Sequence, residues 1–303
     1  MLKPKRGVIA IFLGPAVLCY LLVFLYPTFR TLVMSFFAVE SVSESVSNWA
    51  FNGITNYLNI FNTPIFIRSM QNIGRLWFFG GLGVMILALS FAVILTGNLK
   101  GTKFFRSVIY LPNVISAVAM GTMWLNYVYN PEYGLLRNAL YTLGFRPDNP
   151  VNWTGPGLRF WSLVAAYSFG MVGYHMLIFI SGIEQIPGDY HDCAKIEGAN
   201  IFQRFRHVTL PFIKGVTRTN IVMWTVFTVG FFVWGQLFSP VNLSSDTSAP
   251  MNYMYQLVFG SSSSANTVRD SGAGAAIGVT MMMIVIVVFF STSLIVRHDD
   301  AEI

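Results

Sequence analysis

Charge is scarce in this chain: Asp, Glu, Lys and Arg make up only 11% of its 303 residues, where a soluble domain carries about 25%. Cysteine is scarcer still. Cys19 falls in an apolar run and Cys193 in a polar loop, so the pair makes no disulfide framework. The sequence also contains no GxxxxGK[ST] phosphate loop, no HExxH, no CxxC pair, no acidic calcium loop and no GxSxG elbow. It therefore offers no such site for ATP, a metal ion or a serine nucleophile. The net charge of +6 comes from bases scattered at the ends of apolar runs. There is no dense basic patch interleaved with aromatics, which argues against a nucleic-acid partner.

What is abundant is apolar length. Hydrophobic residues make up 54% of the chain, and a span needs roughly 20 apolar residues to cross a hydrocarbon core. Six segments qualify, near 8–36, 73–96, 107–129, 159–182, 216–239 and 274–296. The expected fold is an all-α polytopic membrane protein, one transmembrane domain over 1–303. The basic MLKPKR start followed by an apolar run resembles a signal peptide. Its apolar stretch is too long and lacks a small-residue cleavage site, so it reads as an uncleaved first span. Pro27 is expected to kink or end that span. Pro112, Asn113 and Asn126 mark the third as facing other helices or a cavity.

Bases orient the spans. With the N-terminus cytosolic, twelve lie on the inner side, from Lys3, Lys5 and Arg6 to Arg297, and every lysine is among them. Seven arginines fall on outer segments or span edges: Arg30, Arg68, Arg75, Arg137, Arg146, Arg159 and Arg269. Both termini are then cytosolic. Outer loops near 37–72, 130–158 and 240–273 are rich in Ser, Asn, Pro and Gly, and SSSSANTVRDSG reads as flexible. None of the thirteen acidic residues falls in the core of a span. Proton-coupled carriers usually place carboxylates or histidines there, and only His175 qualifies, with an ordinary hydrogen-bonded interior histidine as its plainer reading. This argues against a proton-driven carrier but not against a sodium-coupled one; otherwise uphill transport would draw its energy from a partner.

The inner loop near 183–215 is long for a membrane connection. IPGDYHDCAKIEGANIFQRFRHVTLPFIKG reads as two short helices, the first N-capped by Asp189 and ended by Gly198, the second over about 200–208. Phe202 and Phe205 share a face of the second, and Pro211 turns the chain into the fifth span. Two readings follow from the residues alone: a solvated amphipathic loop on the membrane surface, or an element that docks a partner.

The segment resembles the EAA loop of ABC importer permeases, whose pattern is E-A-A, three residues, G, nine residues, then I-x-L-P. Asp192, Cys193 and Ala194 stand for the first three positions, Gly198 for the glycine, and Val208, Leu210 and Pro211 for the end. Asn72, FFRSVIYLPNVISAVAMGTMW, NPEYGLLRNALYTLGF and MLIFISGIEQIP are similar to the carbohydrate-uptake branch, the maltose-type and multiple-sugar permeases. After the fifth span the chain departs from that branch, with LFSPVNLSSDTSAP where a threonine and GGP are common.

The resemblance implies the type I importer fold and half of a translocation pathway in a bacterial or archaeal cytoplasmic membrane. It implies a second permease subunit, with a heterodimer favoured, an extracytoplasmic solute-binding protein, and two cytosolic ATPase subunits that bind ATP and magnesium. This chain would bind no cofactor and catalyse no reaction. Gly198 would let the ATPase approach its backbone closely. A sugar has polar edges and CH faces together, and Asn113, Trp124, Asn126, Tyr167, Tyr174, His175, Trp224 and Gln236 could meet both. Tyr127 and Trp234 read rather as interfacial anchors, and Asn113 equally as a helix bridge. The rival readings are a permease for another solute, such as a polyol or a glycerol phosphodiester, and an intramembrane lipid-linked transferase.

Overall fold

The computed structural model describes residues 6–97, 99–145, 150–239, 245–260 and 269–295. Lys3, Lys5, Arg146, Asp148, Arg297, Asp299, Asp300, Glu302 and most of the serine-rich stretch lie outside them. In chain order come α1 (Arg6–Tyr20), α2 (Tyr26–Met34), β1 (Phe37–Ala38), β2 (Ala50–Phe51), α3 (Thr55–Asn62), α4 (Pro64–Arg75), α5 (Gly81–Leu95), α6 (Thr102–Val114), α7 (Ala117–Met123), α8 (Leu135–Thr142) and α9 (Arg159–Glu184). Then follow α10 (Gly188–Ile196), α11 (Ile201–Arg204), α12 (Leu210–Phe212), α13 (Lys214–Val229), α14 (Val233–Phe238), α15 (Pro250–Phe259) and α16 (Ser271–Ile295).

Among the described residues, four helices are long and apolar enough to cross a membrane: Ile11–Met34, Pro64–Leu95, Arg159–Glu184 and Ser271–Leu294. The expected third span is instead two helices bent by 96°, which would make a fifth as one broken span. Pro112 lies inside α6, Ile115 turns extended, and the Ser116 side chain accepts the amide of Ala119 to start α7 afresh. The segment expected as the fifth span is interrupted between α13 and α14, and does not meet the same test.

Pro27 does not end the first helix. It sits in the first turn of α2, directly after a π-helical turn at Leu21–Leu25. The wider turn accommodates the missing donor, and the helix runs on to Met34.

The chain forms two units, Met1–Ile67 with Tyr253–Met283, and Arg68–Asn252 with Ile284–Ile303. In the first, β1 and β2 pair antiparallel with Phe37 opposite Phe51. Asn56 donates to the carbonyls of Ser35 and Phe37, and Arg30 stacks on Trp49 while donating to the Val42 carbonyl. Met34, Val39 and Ala275 make its small core.

The second unit is built on α9, and small residues let its neighbours close on it. A Cβ on Gly173 would overlap the Ile109 carbonyl and the Tyr110 backbone of α6, so the two helices pack at backbone distance. A Cβ on Gly182 would meet Val216 of α13. A second interlock joins α13 to the π-turn at Leu76–Gly80: Trp224 donates to the Trp77 carbonyl (2.9 Å), and Trp77 donates to Thr225 (2.9 Å). Gly81 is where the Trp224 indole lies, so a side chain there would displace it. Asn72 donates to the carbonyls of Ser245 and Ser248 and secures the segment before α15.

Candidate docking loop and solute groove

The 183–215 connection folds by local rules. Its first helix, α10, starts at Gly188 with Pro187 as the flanking residue. Asp189 is therefore not the cap but lies in the first turn, where its charge suits the helix dipole. The helix ends as a Schellman motif: Gly198 N–H donates to Lys195 and Ala199 N–H to Ala194. Gly198 adopts φ +76°, the left-handed region that side chains resist. Among the described residues, no heavy atom lies within 4 Å of the place its side chain would take.

Asn200 opens the second limb through a reciprocal capping box with Gln203, with contacts of 2.9 and 2.8 Å. The N-x-x-Q spacing was the available signal. The expected helix over about 200–208 is α11 followed by a π-turn at Phe205–Thr209. Pro211 lies within α12, and the turn into α13 falls at the buried Ile213. The tilted rings of Tyr190 and Phe212 pack with centroids 4.7 Å apart, clasping the start of the loop to its end.

The seven motif positions divide by role. Asp192 accepts a 2.7 Å hydrogen bond from Lys195, and that bond, then the Lys195 charge, holds its carboxyl below the usual carboxylate range. Cys193 is exposed and Ala194 half-buried. Val208 packs on the main core, while Leu210 and Pro211 remain exposed. The feature that residue-type reasoning missed is the apolar rim at the loop's turn: Ile196, Ile201 and Phe202 are 85%, 74% and 67% exposed. Burying these would be favourable at about 25 cal/mol per Å².

A groove of about 420 Å³ opens between α6, α9 and α13. Tyr174 and Ser181 recur along one face of α9, Gln185 follows just past its end, and Tyr110 and Thr219 face them. It combines hydroxyl and amide groups with aromatic and aliphatic surface. Of the eight solute candidates, only Tyr174 lines it. Tyr167, His175 and Trp224 lie in the interior, with His175 Nδ1 2.7 Å from the Oδ1 of Asn220. Asn220 lies on α13 and is buried, although its place near the end of an apolar run argued against it. Asn113 donates to the Gly170 carbonyl (3.3 Å) and so bridges α6 to α9. Trp124 packs tilted against Tyr129 and edge-on against Phe169. Asn126 and Gln236 are exposed. Tyr127 is exposed, but Trp234 is buried against Tyr167 and is no interfacial anchor. Among the described residues, no three His, Cys, Asp or Glu side chains group as metal ligands do.

Long apolar helices and a separately folded polar loop define the class: a helical membrane protein. The chain belongs to the binding-protein-dependent transport system inner membrane component family, whose model matches residues 85–298. It is a transport subunit, not an enzyme. Over 278 residues it is 28% identical to the arabinooligosaccharides transport system permease protein AraP of Bacillus subtilis, covering 91% of this chain and 84% of that protein. Over 177 residues it is 32% identical to the trehalose/maltose transport system permease protein MalF of Thermococcus litoralis, covering 58% and 59%. In fold it is similar to a chain of a bacterial ABC transporter that imports the acidic polysaccharide alginate, with a TM-score of 0.78, 18% identity, and coverage of 97% and 96%.

Proposed function

We propose that this chain forms half of the membrane pathway of a carbohydrate importer and is driven by ATPases that grip its 183–215 loop. The observation that carries the reading is the motif spacing from Asp192 to Pro211, folded into a self-capped projection with an exposed apolar rim. A loop that merely lay in solvent would gain nothing from presenting Ile196, Ile201 and Phe202. The names of the relatives, arabinooligosaccharides and trehalose/maltose among them, support a carbohydrate over a polyol or glycerol phosphodiester.

In this reading the chain makes six spans, with α13 and α14 as the broken fifth, and both termini are cytosolic. A second, non-identical permease completes the pathway. An extracytoplasmic binding protein delivers the solute, and ATP with magnesium acts only at the two partner ATPases. ATP-driven closure of those ATPases pulls the loops together and rocks the spans. The Tyr110, Tyr174, Ser181, Gln185 and Thr219 groove is the solute-facing surface on this chain.

The test is reconstitution in lipid. The purified chain alone should bind no nucleotide. Its complex with the ATPases and second permease should hydrolyse ATP faster when sugar-loaded binding protein is present. Hydrolysis by the isolated chain, or no response to loaded binding protein, would overturn the reading.

A further inference from the structure

We infer that Arg106 and Glu184 are positioning residues that transmit movement of the docking loop to the spans. One Nη2 of Arg106 lies 2.6 Å from Glu184 Oε1 and donates to the Leu95 carbonyl at 3.1 Å. Leu95 is the last residue of α5, where carbonyls lack partners within the helix and a cation is favoured. Glu184 is the last residue of α9, three positions before Pro187 and the start of α10. A single guanidinium thus ties the ends of α5 and α9 to α6, at the root of the loop.

The rest of α6 and α9 makes this tie mechanically useful. At Gly173 the two helices touch backbone to backbone, and Asn113 bonds the Gly170 carbonyl further along. They pack antiparallel, and the ion pair closes the loop-proximal end. A pull on α10 then moves α5, α6 and α9 as one body. Without the pair, the last turn of α9 can bend alone while α6 stays behind. Both partners are partly exposed, with side chains 26% and 52% accessible. Such pairs add little to stability, so this one is explained better by geometry than by folding energy.

The inference rests on the loop being the docking element, and the experiment separates the two claims. In the reconstituted transporter, solute moved per ATP hydrolysed is measured for Glu184→Gln, Arg106→Gln and the exchanged double variant Arg106→Glu/Glu184→Arg. Both single variants should retain ATPase association and basal hydrolysis, while transport per ATP falls by about threefold or more, within the range such transmitting contacts give. The exchanged pair should recover most of the loss. A role only in stability would lower protein level and leave the ratio untouched. Unchanged ratios, or no recovery in the exchanged pair, overturn the inference. Loss of association in Ile196→Ser/Phe202→Ser would still uphold docking, and retained association there would overturn the docking reading instead.

Discussion

The 183–215 loop and the α6–α9 seam both depend on glycine, for opposite reasons. Gly198 has open space around it and a backbone angle that only glycine adopts easily. Gly173 lies in regular helix and has no room at all, because the α6 backbone occupies the place of its side chain. One glycine shapes a projecting turn; the other lets two helices lock. The loop should therefore tolerate bulk wherever backbone angles are respected, and the seam should tolerate none.

The seam gives the largest expected effect. Gly173→Val forces branched bulk against the Ile109 carbonyl, and overpacking of this kind costs about 1–3 kcal/mol or more. Backbone cannot swing aside as a side chain does, so the upper end applies. Membrane level and the melting temperature in detergent should both drop sharply. A near-normal melting temperature would mean that the helices are not locked at this point.

Next comes the indole interlock. Trp224→Phe keeps most of the apolar bulk but removes the indole donor to the Trp77 carbonyl, which retains the Gly81 N–H, a loss of about 0.5–1.5 kcal/mol. It should lower the melting temperature by less than Gly173→Val and leave ATPase association intact, since Trp224 lies far along α13 from the loop.

Gly198 separates shape from contact. Alanine in the left-handed region costs about 1–2 kcal/mol, whereas asparagine tolerates that region. Both add bulk where an ATPase would approach. If close approach matters, Gly198→Asn and Gly198→Ala should both weaken ATPase co-purification. If only the Schellman turn matters, asparagine should behave as wild type. Gly198→Asp alone could not make that distinction, because it changes shape, bulk and charge together.

Much of this was legible in the sequence, and the gaps have physical causes. The apolar lengths of 73–96, 159–182 and 274–296 each exceed what a soluble helix uses, so those helices were readable from composition. The loop was readable because Gly198 and the Pro187–Gly188 pair are local signals for a helix end and a helix start. The 96° bend at Ile115–Ser116 was not, because Pro112 can either kink or break a helix and only its packing decides. The solute candidates were chosen by side-chain type within a span. Whether Tyr167 or Tyr174 reaches a groove depends on which face meets α13, which hydrophobicity cannot tell when a helix is apolar all round. The Arg106–Glu184 pair joins residues 78 apart, and nothing local marks it.

The smallest expected effect belongs to Asp192, although it opens the motif. Its carboxylate is already engaged by Lys195 on the next turn, fully in solvent. Its pKa is lowered on folding, so its contribution is complete above the ordinary carboxylate pKa and is lost as pH falls through the depressed value. Stability should then show no dependence on this group from about pH 6 to about pH 8, and salt should screen the pair. Asp192→Ala should keep a wild-type melting temperature and only partly weaken ATPase association, as a function of salt. Because α10 also ends in a Schellman turn that does not use this side chain, the loop keeps its shape without it. If Asp192→Ala abolishes association as fully as Ile196→Ser/Phe202→Ser, the carboxylate must leave Lys195 for the partner on docking. The exposed ion pair would then be the resting state of a contact, and the contrast between a pre-shaped loop and its rigid root would need a moving charge added to it.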